Sequence, residues 1–193
     1  MGGGRKMVMM MMAMWVMTVV EAQQHPQKML DTLCGAATYK EACRKSLERE
    51  AQTQGATPQM LVESGVKAAL DEIDKAASKL MTTNNGGSAV ESCKHLLDQA
   101  KDRLQGAMSQ VRDANNFKDA AQVFDLRIKL GDVNTFATTC IDEAPPQLQP
   151  LLRDDTSYAT QLSVDMLDIV TVFNQALSLN LLPSPSRRLL AFS

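Results

Sequence analysis

The chain has 193 residues, a formal net charge of −2 and 4% aromatic residues. Its charges are interspersed with no basic block, which argues against a nucleic-acid binder, since that needs a cationic face and stacking rings. It equally gives no electrostatic reason to bind a membrane surface, and the length suits one domain.

Arg5 and Lys6 followed by the apolar run Met7–Val20 read as a secretory leader. Val20-Glu21-Ala22 places small or apolar residues at the −3 and −1 positions, so cleavage is expected between Ala22 and Gln23. The run falls short of the roughly 20 apolar residues of a spanning helix, which argues against an uncleaved anchor. Loss of residues 1–22 removes most of the methionines and moves the net charge to −3, because Arg5, Lys6 and Glu21 leave together. The mature chain is expected to be secreted and extracellular, with no membrane attachment after cleavage. It has no N-x-S/T sequon.

Beyond residue 26 the apolar periodicity is helical nearly throughout, with no convincing alternation of the strand kind. Residues 29–34 and about 38–51 read as two short helices around Gly35-Ala36-Ala37. Thr57-Pro58 is a strong helix start, Thr57 as cap and Pro58 as first residue. The helix that follows carries Val62, Val66, Ala69, Leu70, Ile73, Ala77 and Leu80 on one stripe, and Asn84-Asn85-Gly86-Gly87 ends it. Ser88-Ala89-Val90-Glu91 fits a capping box. The helix it opens runs to about residue 114 with Cys93, Leu97, Ala100, Leu104, Met108 and Val111 inward. A third long helix is expected from near Asn116, with Phe117, Ala121, Phe124, Ile128, Phe136 and Cys140 on its apolar side and a kink or break at Gly131. Pro145-Pro146 and Pro150 mark the next turn. The last helix, about 155–180, buries Leu162, Met166, Ile169, Phe173, Ala176 and Leu177 before Pro183 and Pro185 end it.

Four long amphipathic helices with short connections predict an all-α fold, an up-and-down four-helix bundle preceded by a helical hairpin. The expected organisation is a signal peptide over 1–22, a bundle domain over 23–182 and a flexible tail over 183–193.

Cys34, Cys43, Cys93 and Cys140 permit three disulfide connectivities, and spacing alone does not choose strictly among them. Cys34 and Cys43 bracket the turn of the hairpin, where a local bridge is natural. Cys93 and Cys140 would then tie the second bundle helix to the third. No C-x-x-C supports redox work, and metal sites favour closer ligand pairs with histidines. His25 lies beside the expected mature N-terminus and His95 on a helix. No nucleophile elbow, zincin or phosphate-loop pattern occurs, and Asp154-Asp155 read as first-turn helix charges. Neither catalytic residues nor a cofactor or metal site is expected.

The ordering resembles the plant pectin methylesterase and invertase inhibitors. Cys34-x8-Cys43 is similar to their hairpin cysteines. Ala89-Val90-Glu91-Ser92-Cys93 with Leu96-Leu97-Asp98-Gln99-Ala100 resembles their third-cysteine helix. Leu130, Thr135 and Thr138-Thr139-Cys140-Ile141-Asp142 resemble the stretch into their fourth cysteine. Departures stand beside these: Lys129 where a tryptophan is common, Glu143-Ala144 for Gly-Phe, and Leu97-Asp98 where a tyrosine is frequent. The resemblance covers about residues 29–180. It implies disulfides Cys34–Cys43 and Cys93–Cys140, and a secreted apoplastic or cell-wall protein, a monomer, that inhibits rather than catalyses. Of the Pro-Lys-Phe found in invertase inhibitors, only the phenylalanine of Asn115-Asn116-Phe117 is present, so the resemblance favours pectin methylesterase over acid invertase as partner.

The tail Arg187-Arg188-Leu189-Leu190 is similar to the processing motif between pro-region and enzyme in long pectin methylesterases; an ordinary basic terminus is the alternative. A stand-alone inhibitor and a folding or targeting pro-region are both compatible with it. A carrier of small lipids would need a hollow interior, against which the regular Leu, Ala and Val stripes argue. The helix residues Asp98, Lys101, Asp102 and Gln105 are candidates for the target-binding surface.

Overall fold

The computed structural model describes residues 27–82, 87–113 and 119–178, with side chains through residue 174. Helix α1 spans 27–36, α2 Lys40–Ala51, α3 Pro58–Met81, α4 Gly87–Val111, α5 Ala120–Glu143 and α6 Gln149–Ser178. Among the described residues there is no strand. Packing runs α3 to α4, α4 to α5, α5 to α6, and back from α6 to α3. That closed ring of chain neighbours is an up-and-down four-helix bundle. The α1–α2 hairpin lies outside it, with α2 resting on α3 and α6.

Local chemistry sets most helix limits. Thr57 is extended and its Oγ1 accepts the Met60 N–H at 3.2 Å, with Pro58 at a position where a missing N–H costs nothing. Asp119 caps α5 by accepting the Ala121 N–H at 2.8 Å. It starts that helix at Ala120 rather than near Asn116; residues 114–118 lie outside the described residues. Ser88 falls inside α4, behind Gly87 with its φ of +57°, rather than ahead of it. The turn of the hairpin is Ala37-Thr38-Tyr39, a little later than Gly35-Ala36-Ala37, because α1 continues through residue 36. Helix α5 runs through Gly131 unbroken. Helix α6 begins at Gln149, earlier than expected, because Pro150 occupies its first turn instead of the connection.

The core is continuous. Leu61, Val62, Val66, Ala69, Ile73, Ala76 and Leu80 of α3 meet Val90, Cys93, Leu97, Ala100, Leu104, Ala107 and Val111 of α4. Leu152, Ala159, Leu162, Met166, Ile169 and Val170 of α6 complete it. Gly65 lets α3 approach α6 closely: a Cβ there would stand 2.1 Å from Met166 Sδ.

The α5 stripe differs from expectation. Val123, Leu126, Leu130, Val133, Ala137 and Cys140 are buried, whereas Ala121 is exposed, Phe124 is 64% exposed and Ile128 is 45% exposed. The helix carries apolar residues on two sides, and the 3–4 spacing anchored on Cys140, not the largest rings, sets which side enters the core.

The sulfurs pair Cys34 with Cys43 and Cys93 with Cys140, at Cα separations of 5.6 and 4.3 Å. All four cysteines are fully buried. One bond closes the hairpin and the other ties α4 to α5.

Candidate protein-docking surface

Asp98, Lys101, Asp102 and Gln105 follow one another at helical spacing on α4, opposite the buried Leu97, Ala100 and Leu104. Asp98, Asp102 and Gln105 are exposed, and Lys101 is half-buried. The structure therefore gathers all four on one solvent-facing line. Lys101 Nζ donates to Asp74 Oδ1 of α3 at 2.6 Å. That hydrogen bond, with the charge of Asp74 and lesser help from Asp98 and Asp102, raises the lysine pKa above its ordinary value.

The other side of α4 meets α5. Arg103 Nε reaches Asp132 Oδ2 at 3.0 Å. A groove of about 280 Å³ between the helices is lined by Gln99, Asp102, Arg103, Lys129 and Phe136. Lys129 is held along it: its stem lies over Gly106, where a Cβ would stand 3.4 Å from Cε. Its Nζ donates to Gln110 Oε1 at 3.0 Å and pairs with Asp125. Gln110, nearly buried, donates through Nε2 to the Gln122 backbone oxygen at 2.6 Å and to Gln122 Oε1 at 2.9 Å. This polar lacing fixes α5 against α4.

Fixing α5 also fixes what it presents outward. Ala121, Phe124 and Ile128 recur at helical spacing on its solvent side, giving an apolar strip on a rigid helix. Single exposed apolar residues are ordinary, but an exposed phenylalanine one turn from an exposed isoleucine is a candidate contact. The apolar pattern of the sequence puts these residues inside, whereas the structure turns them outward. Counting back by threes and fours from Cys140 through Ala137, Val133, Leu130, Leu126 and Val123 identifies the true core stripe and leaves Phe124 and Ile128 outside.

The remaining candidates divide plainly. His95 is exposed on α4. The cleavage pair Ala22 and Gln23, His25, the Asn115-Asn116-Phe117 loop and Arg187-Arg188-Leu189-Leu190 lie outside the described residues. Among the described residues no group of three or more His, Cys, Asp or Glu side chains is placed to hold a metal ion, and no helix is long and apolar enough to cross a membrane.

A family model described as plant invertase/pectin methylesterase inhibitor matches residues 28–169. A pectinesterase/pectinesterase inhibitor of Arabidopsis thaliana (number 45) is 31% identical over 123 residues, 60% of this chain and 20% of that protein. Pectinesterase 3 of Phaseolus vulgaris is 24% identical over 191 residues, 91% of this chain and 32% of that protein. The chain thus spans between a fifth and a third of the length of these curated relatives. The crystal structure of mutant form A of a pectin methylesterase inhibitor from Arabidopsis superposes with a TM-score of 0.50 at 16% identity, over 74% of this chain and 95% of that one. It shares the fold. With a match that runs from the hairpin into α6 and so takes in both disulfides, the chain belongs to the plant invertase/pectin methylesterase inhibitor family.

Proposed function

We propose that this protein is a secreted inhibitor of pectin methylesterase. In this reading residues 1–22 are a leader cleaved before Gln23, and the mature chain works as a monomer in the apoplast or cell wall. There it covers the substrate cleft of the enzyme, excludes the polysaccharide and so restrains pectin de-esterification. The observation that carries the reading is the inhibitor-family match across the hairpin and most of the bundle, residues 28–169. Pectin methylesterase is preferred to acid invertase because the relatives cited above are pectinesterases or pectinesterase inhibitors by name.

The contact surface is the outward side of α4 and α5. Asp98, Asp102 and Gln105 supply polar contacts at its edge, and Phe124 and Ile128 supply apolar anchors. A partner of the usual kind would bury about 1,600 Å² in total. Helices held by disulfides and by the Lys129–Gln110–Gln122 lacing enter such a contact already ordered, which lowers the cost of association.

A second reading, a folding or targeting pro-region of a pectin methylesterase, is favoured by one observation: the chain matches only a fifth to a third of its relatives' length. The tail Arg187-Arg188-Leu189-Leu190 is its expected processing motif. To test the main reading, the oxidised mature chain is mixed with pectin methylesterase and, separately, with acid invertase. Residual activity and complex formation by size-exclusion chromatography are measured from mildly acidic to neutral pH. Loss of pectin methylesterase activity with a co-eluting complex is expected. Loss of invertase activity alone would transfer the function to the other target, and no effect on either enzyme would overturn the inhibitor reading.

A further inference from the structure

Helix α2 begins without a cap of its own, since Tyr39 at the N-cap position makes no side-chain capping bond. Acceptors for the turn before it come from more than 120 residues away. Asp165 Oδ1 on α6 accepts the Tyr39 N–H at 2.7 Å. One turn on, Asp168 Oδ2 accepts the Thr38 N–H and the Thr38 hydroxyl, both at 2.8 Å. Two carboxylates on one face of α6 thereby fasten the hairpin turn to the bundle, at the helix end whose dipole favours negative charge.

Asp165 differs from the other buried polar side chains. Thr156 and Ser163 hydrogen-bond to backbone oxygens a turn earlier, and Gln110 is bonded as described. Asp165 is fully buried and its Oδ2 has no hydrogen-bond partner. Such an oxygen costs less on a neutral acid than on a carboxylate. The groups acting on it are few. Asp168 repels its charge, and the Tyr39 and Cys43 N–H groups favour that charge. Two turns back on α6, Tyr158 carries Lys45 of α2 at 5.3 Å from its ring centre and feels Glu72 and Lys75 of α3.

We propose that Asp165 and Asp168 form a proton-operated latch that seats the α1–α2 hairpin on the bundle, closed when Asp165 carries a proton and weakened when it does not. Burial, foremost, pushes the Asp165 pKa from 3.8 up to about 6. If undocking returns the group to water, the opening constant rises about tenfold between pH 5 and pH 7.

The test is amide hydrogen exchange on the oxidised full chain at both pH values, each amide referenced to its own unstructured rate. Protection of Thr38, Tyr39, Cys43 and the rest of the hairpin should fall about tenfold from pH 5 to pH 7. In Asp165→Asn, which keeps the acceptor and removes the charge, that fall should vanish. Unchanged hairpin protection in the wild type, or a fall that persists in Asp165→Asn, overturns the latch. A second readout needs no variant: the Asp165 carboxyl-carbon shift in the wild type should titrate near pH 6 together with the Tyr39 amide. A midpoint near 4, or a Tyr39 amide that does not respond, would also overturn it.

Discussion

A single residue's effect here depends on which side of its helix it occupies, and α5 makes the contrast measurable. Leu130 is buried in the core while Phe124 is largely exposed. Leu130→Ala should cost about 2–5 kcal/mol, because the packed surroundings relax only partly into the space it leaves. Phe124→Ser should change stability by less than about 1 kcal/mol. Urea denaturation of both variants decides it: equal losses would mean that the phenylalanine is a core residue after all. Asp165 shows what sequence reading misses at this scale. It stands between Leu162 and Met166 within the apolar stripe of α6, and an acid on such a stripe signals a buried partner. Which partner was not legible, because the Tyr39 amide lies 126 residues away and carries no side-chain signature.

Elements were more legible than their limits. The stripes of α3 and α4 were readable because each has one apolar side, and Thr57-Pro58 announced its helix through a cap and a tolerated proline. The phase of α5 was not, since apolar residues on both sides let two stripes compete, and residue size pointed to the wrong one. The start of α6 was missed for a related reason: Pro150 reads as a break, yet a proline in the first turn of a helix breaks nothing. The two disulfides should act on different elements. The Cys93–Cys140 bond closes a separation of 47 residues across α4 and α5, and the Cys34–Cys43 bond closes only 9. In the chain-entropy account these contribute on the order of 4 and 3 kcal/mol respectively. Replacing Cys93 and Cys140 by serine should therefore lower the global unfolding free energy the more. Replacing Cys34 and Cys43 should raise hydrogen exchange in α1 and α2 more than in α3–α6, which lose protection only through the smaller global loss. Equal loss of protection everywhere in the hairpin variant would contradict the separation of hairpin from bundle.

For the whole molecule, the buried acid gives stability a direction with pH. The folded state raises the Asp165 pKa from 3.8 to about 6, so the proton stabilises the fold. Its contribution is complete below about pH 4 and is lost as pH rises through 6. Thermal unfolding should thus show a higher midpoint near pH 5 than near pH 7, and Asp165→Asn should flatten the difference. A wild-type midpoint that rises steadily from pH 5 to 7 would contradict this sign. The proposed inhibitory role rests on the same rigid frame, since its disulfides and inter-helix lacing hold the outward side of α4 and α5 in one shape. The most direct measurement titrates pectin methylesterase with the oxidised wild-type chain and with a Phe124→Ser, Ile128→Ser double variant of matched thermal stability. The wild type should abolish activity at near-stoichiometric ratio, and the double variant should need about thirtyfold more protein, the loss expected for removing a pair of central apolar anchors. Full enzyme activity in excess wild-type protein, or equal inhibition by the double variant, would contradict the account.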